Sequence, residues 1–140
     1  MSDSTSKPCH ICARVASGDG LIYADGVFSV YGLADRPGWV LYATDRHGEW
    51  LWGLSDAEAA GLGPFLKVVS AALKEASGAP LIYYVGLGEN TVHYHGILTA
   101  RYEPFAKDIQ TALAERGAEV ADAEQAARTI TAMKDYLSSH

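Results

Sequence analysis

Cys9-His10-Ile11-Cys12 and His93-Tyr94-His95 are the two places where metal-binding or nucleophilic side chains recur at short spacing. A CxxC pair can hold a metal through two thiolates or cycle between dithiol and disulfide. The redox use needs a strand that leads into the pair, and only eight polar residues precede Cys9. The metal use needs two further ligands, and an incidental pair of cysteines is the third reading. The spacing of His93, His95 and Ile97 predicts one face of a strand, with same-face neighbours about 6.6 Å apart. That separation suits one imidazole on a metal and the other facing a substrate, although an isolated HxH is more often two solvated or core histidines. His47, in Asp45-Arg46-His47, follows a predicted strand and supplies the missing ligand. Cys9, Cys12, His47 and His93 then make a Cys2His2 set, the tetrahedral combination that zinc prefers.

The elements that must position these residues are legible as alternating and periodic runs. Residues 21–25 and 27–33 are β-rich and flank Gly26, which predicts a hairpin. A third strand spans 38–45, after the Asp35-Arg36-Pro37-Gly38 turn. Ser55-Asp56-Ala57-Glu58 is a capping-box signature opening a helix to about residue 77, where Gly78 and Pro80 close it. Pro64 inside that run predicts a kink or a restarted turn. Two more strands, 81–88 and 91–102, join through a Gly-Glu-Asn turn, and helices are expected over 104–117 and 121–137. Five strands with one helix between the third and fourth give an α+β meander-type sheet in a single domain over 1–140. Residues 1–8 read as a flexible tail and 103–140 as a helical C-terminal extension.

Composition narrows the function. Seventeen acidic against eleven basic side chains give a net charge of −6, which disfavours a role built on phosphate neutralisation along nucleic acid or an anionic membrane. No apolar run reaches the roughly 18 residues of a membrane span, and the polar N-terminus lacks the apolar core of a secretory signal. The expected setting is the cytoplasm, where two cysteines stay reduced.

Taken together, the motifs resemble the histidine triad (HIT) superfamily up to about Arg101. The shared order is the N-terminal CxxC, a hairpin, Pro37-Gly38-Trp39-Val40-Leu41, the basic-His pair Arg46-His47, and Leu54-Ser55-Asp56-Ala57-Glu58. It ends in Gly88-Glu89-Asn90-Thr91-Val92-His93-Tyr94-His95-Gly96-Ile97-Leu98-Thr99-Ala100-Arg101. Against the family's Gly-Gln followed by His-φ-His-φ-His-φ-φ-Pro-Arg, His93 matches the first histidine, His95 the second and Ile97 the third. The resemblance implies a five-stranded antiparallel sheet with one central helix, here followed by two C-terminal helices, and usually a homodimer. It implies Zn2+ on Cys9, Cys12, His47 and His93, structural by default because four protein ligands leave no open position. It also implies nucleotidyl or phosphoramidate transfer, with His95 as the nucleophile that becomes covalently nucleotidylated.

Three positions depart from the family pattern. Ile97 replaces the third imidazole, Glu89 stands where the family has Gln, and Tyr31 stands where it has a ribose-binding Asp. Tyr31, Glu89, Asn90 and Ile97 are the expected substrate-contacting positions. Two enzymatic readings follow: a HIT-type hydrolase or transferase of a nucleotide-like phosphoester or phosphoramidate, and a repurposed HIT-fold enzyme acting on a small aromatic or amine-bearing compound. A third is a non-catalytic zinc-stabilised binding module. Aromatic and aliphatic walls with one carboxylate favour the small organic ligand, and retention of the ligand set and of His95 favours the phosphate chemistry. Trp39 and Trp52 are expected in the core or at a dimer interface.

Overall fold

A computed structural model describes residues 9–87, 91–102 and 108–140. The order of elements is α1 (His10–Ser17), β1 (Leu21–Ala24), β2 (Phe28–Gly32), β3 (Trp39–Thr44), α2 (Asp56–Ser77), β4 (Leu81–Leu87), β5 (His95–Arg101), α3 (Ile109–Ala114) and α4 (Ala123–Ser139). The strands form one antiparallel sheet in the order β1-β2-β3-β5-β4, the expected five-stranded α+β sheet, but β5 rather than β4 lies beside β3, so the expected simple meander does not hold across the α2 crossover. The tail 1–8 and the expected ligand contacts Glu89 and Asn90 lie outside the described residues.

Helix α2 starts where its sequence says it should. The Ser55 hydroxyl accepts from the Glu58 N–H at 3.1 Å and the Glu58 carboxylate accepts from the Ser55 N–H at 2.8 Å, so two orphan donors are satisfied reciprocally. Gly78 ends it at φ +71°, and the helix runs through Pro64 as one element rather than restarting there. Its Phe65, Val69, Ala72 and Leu73 are buried against Phe28, Val30, Val40, Tyr42 and Leu98 of the sheet, and Met133 of α4 completes this core. The opposite face of the sheet carries a smaller apolar cluster. Trp39, Ile97 and Ala112 of α3 are its buried members, with Leu33, Val85, Leu113 and Val120 around them. Gly117 lets α3 approach so closely: a Cβ there would sit 2.5 Å from the Trp39 ring.

Three further expectations need correcting. Helix α1 lies where only the CxxC motif was expected, with Cys9 as its N-cap. The helix expected over 104–117 ends early, because α3 covers Ile109–Ala114 before a 3-10 turn at Ala118–Val120, and residues 104–107 of that expectation lie outside the described residues. Strand β5 begins at His95, so His93 precedes the strand and the strict alternation expected for His93 and His95 does not relate them. A contact between distant stretches of chain accompanies this: the Tyr94 N–H donates to Gly48 O at 2.6 Å, in the loop after β3, while Tyr94 O accepts from the Thr44 N–H at 3.3 Å.

Candidate metal centre and reactive histidine

Cys9, Cys12, His47 and His93 converge although they come from three separated stretches of chain. Their ligand atoms all lie within 4.8 Å of one another. Cys9 Sγ is 3.4 Å from His93 Nδ1, and Cys12 Sγ is 3.2 Å from His47 Nδ1 and 3.5 Å from His93 Nδ1. Thiolate and imidazole ligands at tetrahedral angles around a small divalent ion are about 3.6 Å apart for bonds of about 2.3 and 2.0 Å. The observed spacing therefore fits a tetrahedral Cys2His2 cation site. His93 is fully buried and its Nε2 lies 2.7 Å from Thr44 O, which only accepts. Nε2 carries the proton and Nδ1 turns its lone pair to the thiols, the usual supporting arrangement for a ligating imidazole. Burial holds the His93 ring below the ordinary imidazole range, and burial beside Cys9 raises the Cys12 thiol. The first effect favours the neutral imidazole that can ligate, and the second keeps the thiol protonated until a cation is close.

Each ligand is placed by a nameable device. Cys9 caps α1, its sulfur accepting from the Cys12 N–H at 3.3 Å, so one helical turn brings both sulfurs together. His47 is fixed through its neighbour: Arg46 donates Nε and Nη2 to Glu58 at 2.9 and 2.7 Å and Nη2 again to Gly53 O at 2.9 Å. Glu58 thus caps α2 and anchors the loop that carries His47, and these bonds depress its carboxyl to about 2. A folded pKa below the unfolded 4.5 means the stabilisation is complete above about pH 5 and fades as pH falls toward 2. Glu58→Gln is expected to cost about 1–2 kcal/mol at pH 7, after discounting for the half-exposed Arg46. Urea unfolding of both proteins should show the difference shrinking below pH 4.5.

His95 opens β5 and is half-buried. Its Nδ1 is 2.6 Å from His93 O, so Nδ1 is the protonated nitrogen and Nε2 keeps the free lone pair. Tyr42 and Tyr94 hold this geometry. Their hydroxyls meet at 2.9 Å in the core, pinning the residue between the two histidines. Gly96 makes room for that ring, since a Cβ there would lie 2.7 Å from Tyr42.

Of the expected substrate-contacting positions, Tyr31 and Ile97 share the His95 face of the sheet through the register Tyr31↔Leu41↔Ile97. Tyr31 is 1% exposed, under the Arg14 guanidinium 5.8 Å from its ring centre, and Ile97 is closed in by Trp39 and α3. Trp39 is buried, whereas Trp52 is 80% exposed and stacks on Trp50 at 5.3 Å. Sequence reading missed Thr44, Tyr42 and Gly96 as positioning residues. Their signal lies in cross-strand register, which composition and spacing do not carry.

With the geometry in view, the class of fold is plain: the chain has the fold of the histidine triad proteins. It superposes with a TM-score of 0.73 on a hypothetical histidine triad nucleotide-binding protein from Sulfolobus tokodaii strain7, at 16% identity over 94% of this chain and 93% of that one. A Zn-bound histidine triad family protein from Mycobacterium smegmatis matches at TM-score 0.68 and 16% identity, over 94% and 97% of the two chains. A uridylyltransferase matches at TM-score 0.66 and 26% identity over 91% of this chain, which spans 45% of that protein's length. No protein-family model matches the chain, and no curated protein matches it. Among the described residues no helix is long and apolar enough to cross a membrane.

Proposed function

We propose that this chain is a divergent zinc-bearing member of the HIT superfamily. In this reading it is a hydrolase or transferase of a nucleotide-like phosphoester or phosphoramidate, with His95 as nucleophile. The observation that carries the reading is the His95 hydrogen bond to His93 O, which sets the one tautomer able to attack through Nε2. His95 Nε2 forms a P–N bond while the leaving group departs with its electron pair and takes a proton from solvent. Water or another acceptor then attacks the same phosphorus and releases His95. Cys9, Cys12, His47 and His93 would hold Zn2+, which when bound supplies a fixed cross-link between α1, the end of β3 and the approach to β5. The reading includes a homodimer in the cytoplasm: β4 is an edge strand with Leu81, Tyr83 and Tyr84 exposed, an apolar edge that a second copy would cover.

A second reading is a repurposed HIT-fold enzyme acting on a small non-nucleotide compound. The burial of Ile97 against Trp39 and Ala112 favours it, because an aliphatic side chain in an apolar cluster stands where the family's third imidazole would donate to a phosphate. The test is a panel of adenosine phosphoramidates and dinucleoside polyphosphates incubated with zinc-loaded protein, followed by mass spectrometry of the intact chain. Turnover with a transient nucleotidyl adduct mapped to His95 is the expected result. No turnover, no adduct and no nucleotide-induced thermal shift would move the assignment to the second reading.

A further inference from the structure

Ser29, Ala43 and His95 are cross-strand partners in one row, and the next row is Tyr31, Leu41 and Ile97. Residues paired this way project from the same side of the sheet, so all six share the face of the reactive imidazole. The Ile97 end is filled by Trp39 and α3. At the other end the face is bounded by Asp45, the first residue beyond β3. Its carboxylate turns back onto this face, with Oδ1 accepting from the Ser29 hydroxyl at 2.5 Å. Ser29 itself is only 3% exposed, so the acceptor is held from below.

Asp45 is half-buried, yet among the described residues no cation pairs with it. The arginines nearby in sequence or space are engaged elsewhere. Arg46 is taken by Glu58 and Gly53, and Arg14 lies over the Tyr31 ring and donates to Asp19 O at 3.4 Å. A half-buried carboxylate on a reactive face, supported by one neutral hydroxyl, is left with unspent charge and a second free oxygen. A substrate hydroxyl would fill a lone pair and leave the charge, whereas a protonated amine answers both.

We infer that Asp45, positioned by Ser29, is the specificity residue of this site and selects substrates that carry a protonated amine on the group attached to the reacting phosphorus. The inference rests on the phosphate chemistry proposed above. Ser29 and His95 are two strand spacings apart, about 10 Å, so the amine lies a short flexible chain away from the phosphorus rather than next to it. The class of reaction that supplies such a substrate is phosphorylation or nucleotidylation of a polyfunctional amine.

The test uses the full zinc-loaded chain and two independent readouts. Calorimetry compares aminopentyl phosphate, hydroxypentyl phosphate and pentyl phosphate, and turnover compares adenosine phosphoramidates bearing the same three groups. The amine compound is expected to bind about 10–100-fold more tightly than the pentyl compound, with a matching preference in kcat/KM. Asp45→Asn, nearly isosteric, should bring both ratios to about one, and Ser29→Ala should reduce them while retaining zinc content. Equal binding of the three phosphates, or equal turnover of the three phosphoramidates, overturns the inference and leaves the chemistry standing. A preference for the hydroxyl compound overturns it in favour of a neutral donor. Amine-selective binding without turnover supports the inference and removes the proposed reaction, and neither binding nor turnover overturns both.

Discussion

Cys12→Ser is expected to take the protein from one zinc per chain to near zero and to lower its melting temperature by roughly 10–15 °C. Structural zinc contributes folding free energy directly, of order 10 kcal/mol in small zinc domains. A chain of 140 residues with its own core depends on it less. Loss of about 4 kcal/mol still moves the midpoint of a domain this size by that amount. The damage should be local first. Both α1 and the loop after β3 converge on residues 91–94 through these four side chains, and the His93 ring is held on its other side by Thr44 O. Metal analysis of protein purified without added metal, with native-state thiol alkylation and a thermal melt, reads all three effects. Wild-type stoichiometry near zero with both thiols freely alkylated would remove the metal from the account.

His95→Ala is expected to lower turnover of any phosphoramidate substrate by at least about 10³-fold while zinc content and melting temperature stay close to wild type. The separation of effects follows from where the ring sits. His95 is half-buried at the start of β5, its side chain bonds only His93 O among the described residues, and it is not one of the four converging ligands. Substituting it therefore removes a lone pair without opening the core. A loss of zinc or a large drop in stability alongside the lost activity would show that His95 is a structural residue. Full activity in the variant would move the nucleophile elsewhere.

The convergence of Cys9, Cys12, His47 and His93 was legible in the sequence because thiols and imidazoles are few in this chain. The five strands and α2 were legible because alternation, turn residues and a capping box agree over each run. What sequence reading missed has one physical origin: contacts between elements distant along the chain. Helix α1 is eight residues long, too short to be stable by propensity, and depends on contacts far along the chain: Ile11 is buried, and Cys9 and Cys12 lie beside His93 and His47. The start of β5 is displaced by Gly48, more than forty positions earlier. Ile97 reads as a lost imidazole in the motif, and only the placement of Ala112 and Trp39 shows that its surroundings are apolar. Asp45 looks like an ordinary strand-end acid until the register puts Ser29 beneath it.

The joining of Cys9 to His93 spans 84 positions. During synthesis, α1 leaves the ribosome first and its ligand partner follows on the order of ten seconds later, at about 5–20 residues per second. Until then the two thiols sit on a segment of eight residues that is too short to hold a helix by itself. Closing so long a loop is entropically slow and comes after the local hairpin and α2 have formed. On the zinc reading proposed above, capture of α1 is a late step of assembly: it waits until His93 has been made, and the supply of metal at that moment then decides whether Cys9 and Cys12 are held.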